Sequence, residues 1–388
     1  MDFNNTAIAF KGKTNADLNR SYWLFKIIGW SWLIKIAPTL LKVFMPLGFP
    51  ILIIKATIFK QFCGGESIDG CDHMINELAY HNIKTILDYS VEGKEKESIF
   101  DANVKEVIAT IKKSKTSFNI PFCVFKPTGF GKVELLQKVS AQETLSKKEK
   151  EGYIRVKERI DKICRTAFEL GVPIFIDAEE TWIQDPIDAI SLEMMRKYNK
   201  EKTIVYNTVQ LYRWDRIAYM TTLISTARNE GFYLGLKLVR GAYLEKERAR
   251  ASLMNYKDPI HATKKDTDRD YNLALKLCIE NIDIVSFSCA SHNEKSNLYL
   301  TQLMEERNIE KNDTRIYSAQ LLGMSDHISM NLAKAGYNVA KYVPYGPVKD
   351  VTPYLIRRAE ENTSIAGQTG RELSLILKEK QRRAVKNS

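Results

Sequence analysis

From residue 85 onward, short runs rich in β-branched and aromatic residues alternate with helical stretches, and no other feature limits the possible folds so tightly. The runs are Thr85–Tyr89, Pro121–Phe125, Pro173–Asp177, Thr203–Val209, Leu234–Val239, Ile284–Cys289, Arg315–Gln320 and Tyr337–Val343. Between them, Tyr153–Leu170, Ile187–Tyr198, Trp214–Glu230, Asp268–Ile282 and Glu294–Arg307 read as helices. Strand then helix, repeated around the chain, predicts an α/β fold of the (β/α)8 TIM barrel type. The alternative is an open doubly wound sheet, which usually carries a Gly-rich fingerprint after its first strand. None is present. Gly129-Phe-Gly131-Lys132 is too short for a phosphate fingerprint and reads as a glycine turn into a helix.

The expected organisation is an N-terminal hydrophobic helical extension over 1–62, the barrel over 63–378 and a basic tail over 379–388. The tail, from Lys378, is expected to fray. The highly charged span Ser140–Arg159 is expected to form an exposed helix pair or helical insertion. Ser21–Phe62 is the most hydrophobic stretch, interrupted by lysines at 26, 35, 42, 55 and 60. Its longest uncharged run, Val43–Ile54, holds Pro46 and Pro50 and is too short to span a bilayer. It reads either as helices packed on the main domain or as an amphipathic surface resting on lipid, with Trp23, Trp30 and Trp32 at the interface.

The net charge of +11 favours acidic partners. The lysines are spread out and no nucleic-acid motif occurs, so nucleic acid is not expected. The six cysteines show neither a CxxC pair nor zinc spacing, which points to a reducing compartment and no metal site. The first twenty residues are polar and hold Asp2 and Asp17, so neither a signal peptide nor a transit peptide is expected.

Barrel enzymes place their chemistry at the C-terminal strand ends. The residues that close the runs are Asp88, Lys126, Asp177 with Glu179, Gln210, Lys237 and Arg240 leading into Gly241-Ala-Tyr243, then Ser291-His292-Asn293, Gln320 and Tyr342. A merely structural barrel has no use for polar groups at each slot, because polar groups leaving water need partners. Taken singly, each has a plainer explanation: Asp88 or Asp177 as a helix N-cap, Gln210 as a satisfied rim residue, His292 as a structural histidine. After the last run, Tyr354, Arg357, Arg358 and Glu361 follow at offsets of three, four and seven, one face of a helix. Paired arginines with a nearby acid suit a carboxylate clamp. A solvated basic face is the alternative.

These residues carry a resemblance. IFIDAEET (174–181), KLVRGAYLEKERARA (237–251), CASHN (289–293), QLLGMSDH (320–327) and KYVPYGPV…PYLIRRAEEN (341–362) resemble the proline dehydrogenase family, with ILDYSVEG (86–93) and VFKPTG (124–129) in support. The resemblance implies a distorted (β/α)8 barrel with a C-terminal substrate-binding helix. It implies FAD as cofactor and oxidation of L-proline to Δ1-pyrroline-5-carboxylate, with a hydride passing from proline C5 to flavin N5. Electrons would then pass to ubiquinone or menaquinone at a membrane. The resemblance places Asp177, Ala178, Gln210, Lys237, Val239, Arg240, Gly241, Ala242, Ser291 and His292 around the flavin, and Thr263 and Lys264 toward its adenosine end. Asp177 and Lys237 are implied as the residues nearest the chemistry, and Lys237 stands where many members have arginine. Arg357, Arg358 and Lys126 would hold the proline carboxylate. Tyr243, Leu322, Tyr342 and Tyr354 would wall the ring, with Glu361 and Asp88 pairing the arginines. The implied location is cytoplasmic, peripheral to the inner face of a bacterial membrane, or alternatively the matrix side of the mitochondrial inner membrane.

Two other readings need no flavin. One is a barrel lyase or aldolase using Lys126 or Lys237 as a Schiff base. The other is a non-enzymatic, membrane-peripheral binding protein.

Overall fold

In a computed structural model of the chain, described over residues 1–29, 49–91, 95–364 and 368–387, the expected runs all become strands. They are β1 (Ile83–Tyr89), β2 (Phe122–Phe125), β3 (Ile174–Ile176), β4 (Val205–Gln210), β5 (Leu234–Val239), β6 (Val285–Ala290), β7 (Ile316–Leu321) and β8 (Val339–Tyr345). Their order is that of a closed barrel, β1 to β8 in sequence, and β1 with β8 and each successive pair from β2 to β7 run parallel. The chain divides into two compact units, Lys94–Ala319 and Met1–Gly93 with Gln320–Ser388.

In the Lys94–Ala319 unit β2 and β3 are apolar throughout, while β4, β5 and β6 interrupt their apolar residues with Asn207, Thr208, Lys237, Ser286 and Ser288. The helices between them have visible start and stop signals. Lys147–Leu170 begins at a capping box, in which Ser146 and Glu149 satisfy each other's backbone, and ends at Gly171 with φ of 67°. This corrects the expectation for Ser140–Arg159. Residue 140 ends the helix Val133–Ser140, and the charged residues after the turn are the first half of the long helix.

Register identifies the inner face of these strands. Phe175, Tyr206, Gly235 and Ser286 lie side by side. The Phe122 ring stacks on Phe175 at 4.5 Å and meets Tyr317 edge-on at 4.9 Å. β2 and β7 are not sheet neighbours, so rings that touch between them meet inside the barrel. This aromatic layer is the floor. Two residues further along each strand, side chains return to the same face. That next layer contains Asp177, Thr208, Lys237 and Ser288, with Thr208, Lys237 and Ser288 in direct register.

In the other unit, the helices Asn15–Ile28 and Phe49–Ile54 and the turn Lys55–Phe59 pack with Val348–Ser364 and Gln368–Asn387. Phe25, Ile54, Phe59 and Phe62 share a core with Val351, Tyr354, Leu355, Leu375 and Ile376. The described part of the hydrophobic N-terminus is therefore packed. Trp23, Ile27, Leu52 and Ile53 nonetheless stay exposed. Trp30, Trp32 and the first half of Val43–Ile54, residues 43–48, lie outside the described residues. Among the described residues no helix is long and apolar enough to cross a membrane. The C-terminal residues expected to fray instead continue the helix Gln368–Asn387, where the buried Glu379 pairs with Arg382 at 2.7 Å and Arg383 at 2.8 Å.

Candidate active site

Lys237, in the middle of β5 rather than at its end, reaches over the Phe175 ring at 5.7 Å and donates to Asp177. Asp177 stands one residue beyond β3, where its backbone N–H bonds to Phe125 O at 2.9 Å. It caps no helix, since Glu180 is the N-cap of Thr181–Tyr198. Thr208 Oγ1 and Ser288 Oγ, on either side of Lys237, are buried without a hydrogen-bond partner among the described residues. A buried hydroxyl without a partner costs free energy. The layer therefore offers a cation, an acid and two unsatisfied hydroxyls in one place.

Gln210 closes β4, is buried, and donates to Glu179 O at 2.6 Å. After β5 the chain turns at Gly241, whose φ of 137° suits glycine and whose absent Cβ leaves room for the Tyr212 ring. Val239 and Gly241 are half-buried and Ala242 is exposed. Arg240 lies over the Tyr271 ring at 4.3 Å. Its fork donates to Asp268 at 2.8 Å, Ser291 Oγ at 2.7 Å and Ser296 Oγ at 2.9 Å. Ser291 also accepts from Asn293 N at 3.1 Å, and His292 is half-buried beside it. Arg240, Ser291 and His292 thus form one donor-rich corner. Thr263 and Lys264 sit at the exposed start of Lys264–Glu280, engaged with Asp266 and Asp268.

Lys126 directly follows β2 and Ala178 follows Asp177, both half-buried. Tyr243 is the half-buried N-cap of Leu244–Met254. Two buried glutamates tie these loops down. Glu179 accepts from Thr128 N at 2.9 Å and Thr128 Oγ1 at 2.6 Å. Glu247 grips Thr181 the same way, at 2.7 and 2.5 Å. Burial pushes Glu179 up to about 7 and raises Glu247 as well. Sequence reading noticed Glu179 only as a neighbour of Asp177 and passed over Glu247, Thr208 and Ser288. The two-residue strand period would have placed both hydroxyls on the face of Lys237.

In the other unit, the backbone joins Leu322 to Tyr342 through Leu322 N to Tyr342 O at 2.8 Å, and both side chains are buried. Tyr342 lies inside β8, not at its end. Tyr354, Arg357 and Arg358 belong to the helix Val348–Ser364, with Tyr354 buried and the arginines half-buried. Arg358 stands 5.1 Å from the Tyr354 ring centre. Asp88 accepts from Ser90 Oγ at 2.9 Å. Glu361 is on the same helix, and its side chain lies outside the described residues.

The chain matches the sequence profile of the family described as proline dehydrogenase over residues 71–371. The chain belongs to the proline dehydrogenase family. A relative from Pectobacterium carotovorum subsp. carotovorum, the carbapenem antibiotics biosynthesis protein CarD, is 33% identical over 84% of this chain and 84% of its own length. Human proline dehydrogenase 1, mitochondrial, is 44% identical over 59% of this chain and 39% of that protein. Among solved structures, proline utilization A (PutA) from Bdellovibrio bacteriovorus superposes with a TM-score of 0.74 at 20% identity, covering 92% of this chain and 38% of that one. That likeness carries the barrel fold. Family membership supports proline oxidation as the reaction, and the chain spans well under half of the human and PutA proteins.

Proposed function

We propose that the chain oxidises L-proline to Δ1-pyrroline-5-carboxylate with bound FAD and delivers the electrons to a membrane quinone. The observation that carries the flavin assignment is the inner layer of Lys237, Asp177, Thr208 and Ser288 in a chain of this family. A cation, an acid and unsatisfied hydroxyls suit a polar ring system, and the Arg240–Ser291–His292 corner suits an anionic tail. Bound flavin supplies the acceptor for the hydride that leaves proline C5.

The chain's own residues then have to bind, orient and exclude water. Arg357, Arg358 and Lys126 would hold the carboxylate, which fixes where the opposite side of the ring lies. At an effective dielectric near 20, a cation about 4 Å from the carboxylate gives roughly 4 kcal/mol of gross attraction, and desolvation offsets much of it. Tyr243, Leu322, Tyr342 and Tyr354 would wall the ring, and Glu361 and Asp88 would temper the arginines. The substrate nitrogen has to be neutral to push electrons into the forming C=N bond, so the rate should rise with pH through a substrate ionisation. Lys237 is already a donor to Asp177, which lends the Schiff-base reading no support.

For the membrane, exposed Trp23, Ile27, Leu52 and Ile53, with Lys26 over the Trp23 ring at 4.9 Å, suit peripheral contact with anionic lipid. Flotation with anionic liposomes tests this contact, and absence of binding would remove it. The enzyme reading is tested by the visible spectrum of the purified protein. A yellow protein that bleaches on adding L-proline is expected. Purification without flavin would overturn the reading, and bound flavin that does not bleach would move it to another amine.

A further inference from the structure

Every polar group of Glu179 is engaged, and two of its three partner residues, Thr128 and Gln210, belong to segments that carry a site residue. Its carboxylate takes Thr128 N and Oγ1, its N–H donates to Gln184 Oε1 at 2.8 Å, and its carbonyl accepts from Gln210 at 2.6 Å. Thr128 lies two residues past Lys126, with Pro127 fixing the backbone between them. Glu179 lies two residues past Asp177. On the other side of the same two residues, Asp177 N bonds to Phe125 O. Lys126 and Asp177 are thus enclosed in one small ring of backbone closed by hydrogen bonds at both ends, with Gln210 anchored to it. A residue present only to fill space would not use a nearly fully buried carboxylate, 4% exposed, to hold one threonine.

We propose that Glu179, acting through Thr128, is the positioning residue that holds Lys126, Asp177 and Gln210 at fixed spacing for catalysis. The role rests on the proposed function, in which Lys126 meets the substrate carboxylate and Asp177 and Gln210 meet the flavin. Glu179 touches neither ligand. Replacing it with glutamine keeps side-chain volume and one oxygen for the Thr128 N–H, but the amide N–H₂ then meets a hydroxyl that has to reverse its role, and two charge-assisted bonds become neutral ones, so the clasp weakens. A displacement of about 1 Å at a positioned group costs on the order of 100-fold in rate.

The experiment compares Glu179→Gln, Thr128→Val, Thr128→Ser, Lys126→Met and the Glu179→Gln/Thr128→Val double variant. It measures flavin content, the melting temperature, and KM and kcat for L-proline. Glu179→Gln and Thr128→Val should each lower kcat/KM by roughly 10- to 100-fold with flavin retained, mainly through KM. The double variant should be no worse than either single change, since both break one clasp. Thr128→Ser should restore the wild-type KM. If Lys126→Met raises KM while Glu179→Gln and Thr128→Val leave it unchanged, or lower only the melting temperature, the positioning role is overturned. If Lys126→Met itself leaves KM unchanged, the carboxylate reading of Lys126 fails and the positioning role fails with it.

Discussion

Lys237 and Asp177 form an ion pair on the inner face of the barrel, with side-chain exposures of only 6% and 14%. Removing one partner of a buried pair leaves an uncompensated charge and costs about 3–5 kcal/mol, while replacing both is close to neutral. Lys237→Met and Asp177→Asn should therefore each destabilise the fold by about that amount. The double variant Lys237→Met/Asp177→Asn should recover much of the loss yet remain inactive. Urea unfolding combined with proline turnover separates the two effects, and a strictly additive double variant would show that the pair is not coupled.

Arg357 and Arg358 are half-buried on the helix Val348–Ser364, and the buried Tyr354 beneath Arg358 gives that guanidinium a firm base. If they hold the substrate carboxylate, Arg357→Met and Arg358→Met should raise the proline KM by at least tenfold, the loss of a hydrogen bond to a charged group. Flavin content should stay near that of the unaltered protein. Steady-state kinetics beside the flavin absorbance decides it, and an unchanged KM in both variants would remove the clamp.

Gly241 is a sharper steric case. Its φ of 137° is rarely adopted by L side chains, and an added Cβ would lie 2.5 Å from the Tyr212 ring. Gly241→Ala has to move either the ring or the turn that carries Arg240 and Ala242. A destabilisation of about 2 kcal/mol, with weakened flavin retention, is expected. Thermal unfolding and flavin release on dilution measure it, and wild-type values for both would show that Tyr212 shifts freely.

The barrel was legible because its strands are short runs rich in β-branched and aromatic residues, and such runs stand out against the charged helices between them. The polar groups around Asp177, Gln210, Lys237 and Arg240 were legible as well. Their neighbours were not. Thr208 and Ser288 are ordinary strand residues until register sets them beside Lys237. The Glu179–Thr128 clasp joins residues 51 apart, and nothing local in either segment announces it. The long helix Lys147–Leu170 is a different kind of miss. Its Ser146-x-x-Glu149 capping box was in plain view, but the density of charge after it suggested a separate insertion.

A second buried cluster should control stability without touching chemistry. Arg216 bonds Asp188 at 2.7 Å and Asp215 at 3.0 Å, and Asp188 also accepts from Gln184 and Asn207. Burial works against the ionised Asp215, but its bonds to Arg216 and Arg213 outweigh burial and hold it down at about 2. Arg216→Met removes the cation from Asp188 and one of the two from Asp215, which keeps Arg213, and should lower the melting temperature by on the order of 10 °C. The depressed Asp215 contributes stability that is present above its usual value of 3.8 and is lost as pH falls toward about 2. In the variant the acid limb of the pH–stability curve should be shallower. A melting temperature within a degree or two of the parent would rule the cluster out as a structural anchor.

Glu179 should show the opposite pH signature. Burial, its largest influence, pushes it up from 4.5 to about 7, against the Thr128 bonds and the neighbouring Lys126 that favour the ionised form, while Glu180 adds to the rise. Between those values the folded chain keeps a proton that the unfolded chain has released. Its contribution to stability is therefore complete below about 4.5 and declines as pH rises through about 7. Glu179→Gln cannot titrate, so its urea midpoint should fall less between pH 5 and pH 8 than that of the parent. An identical decline in both would mean that Glu179 does not ionise in this window. Only the ionised carboxylate offers both oxygens to Thr128, so the clasp is tightest on the alkaline side, where the substrate nitrogen is also neutral. Proline turnover is therefore expected to rise over the range in which Glu179 stabilises the fold least, and a pH–rate profile of the parent beside Glu179→Gln measures it.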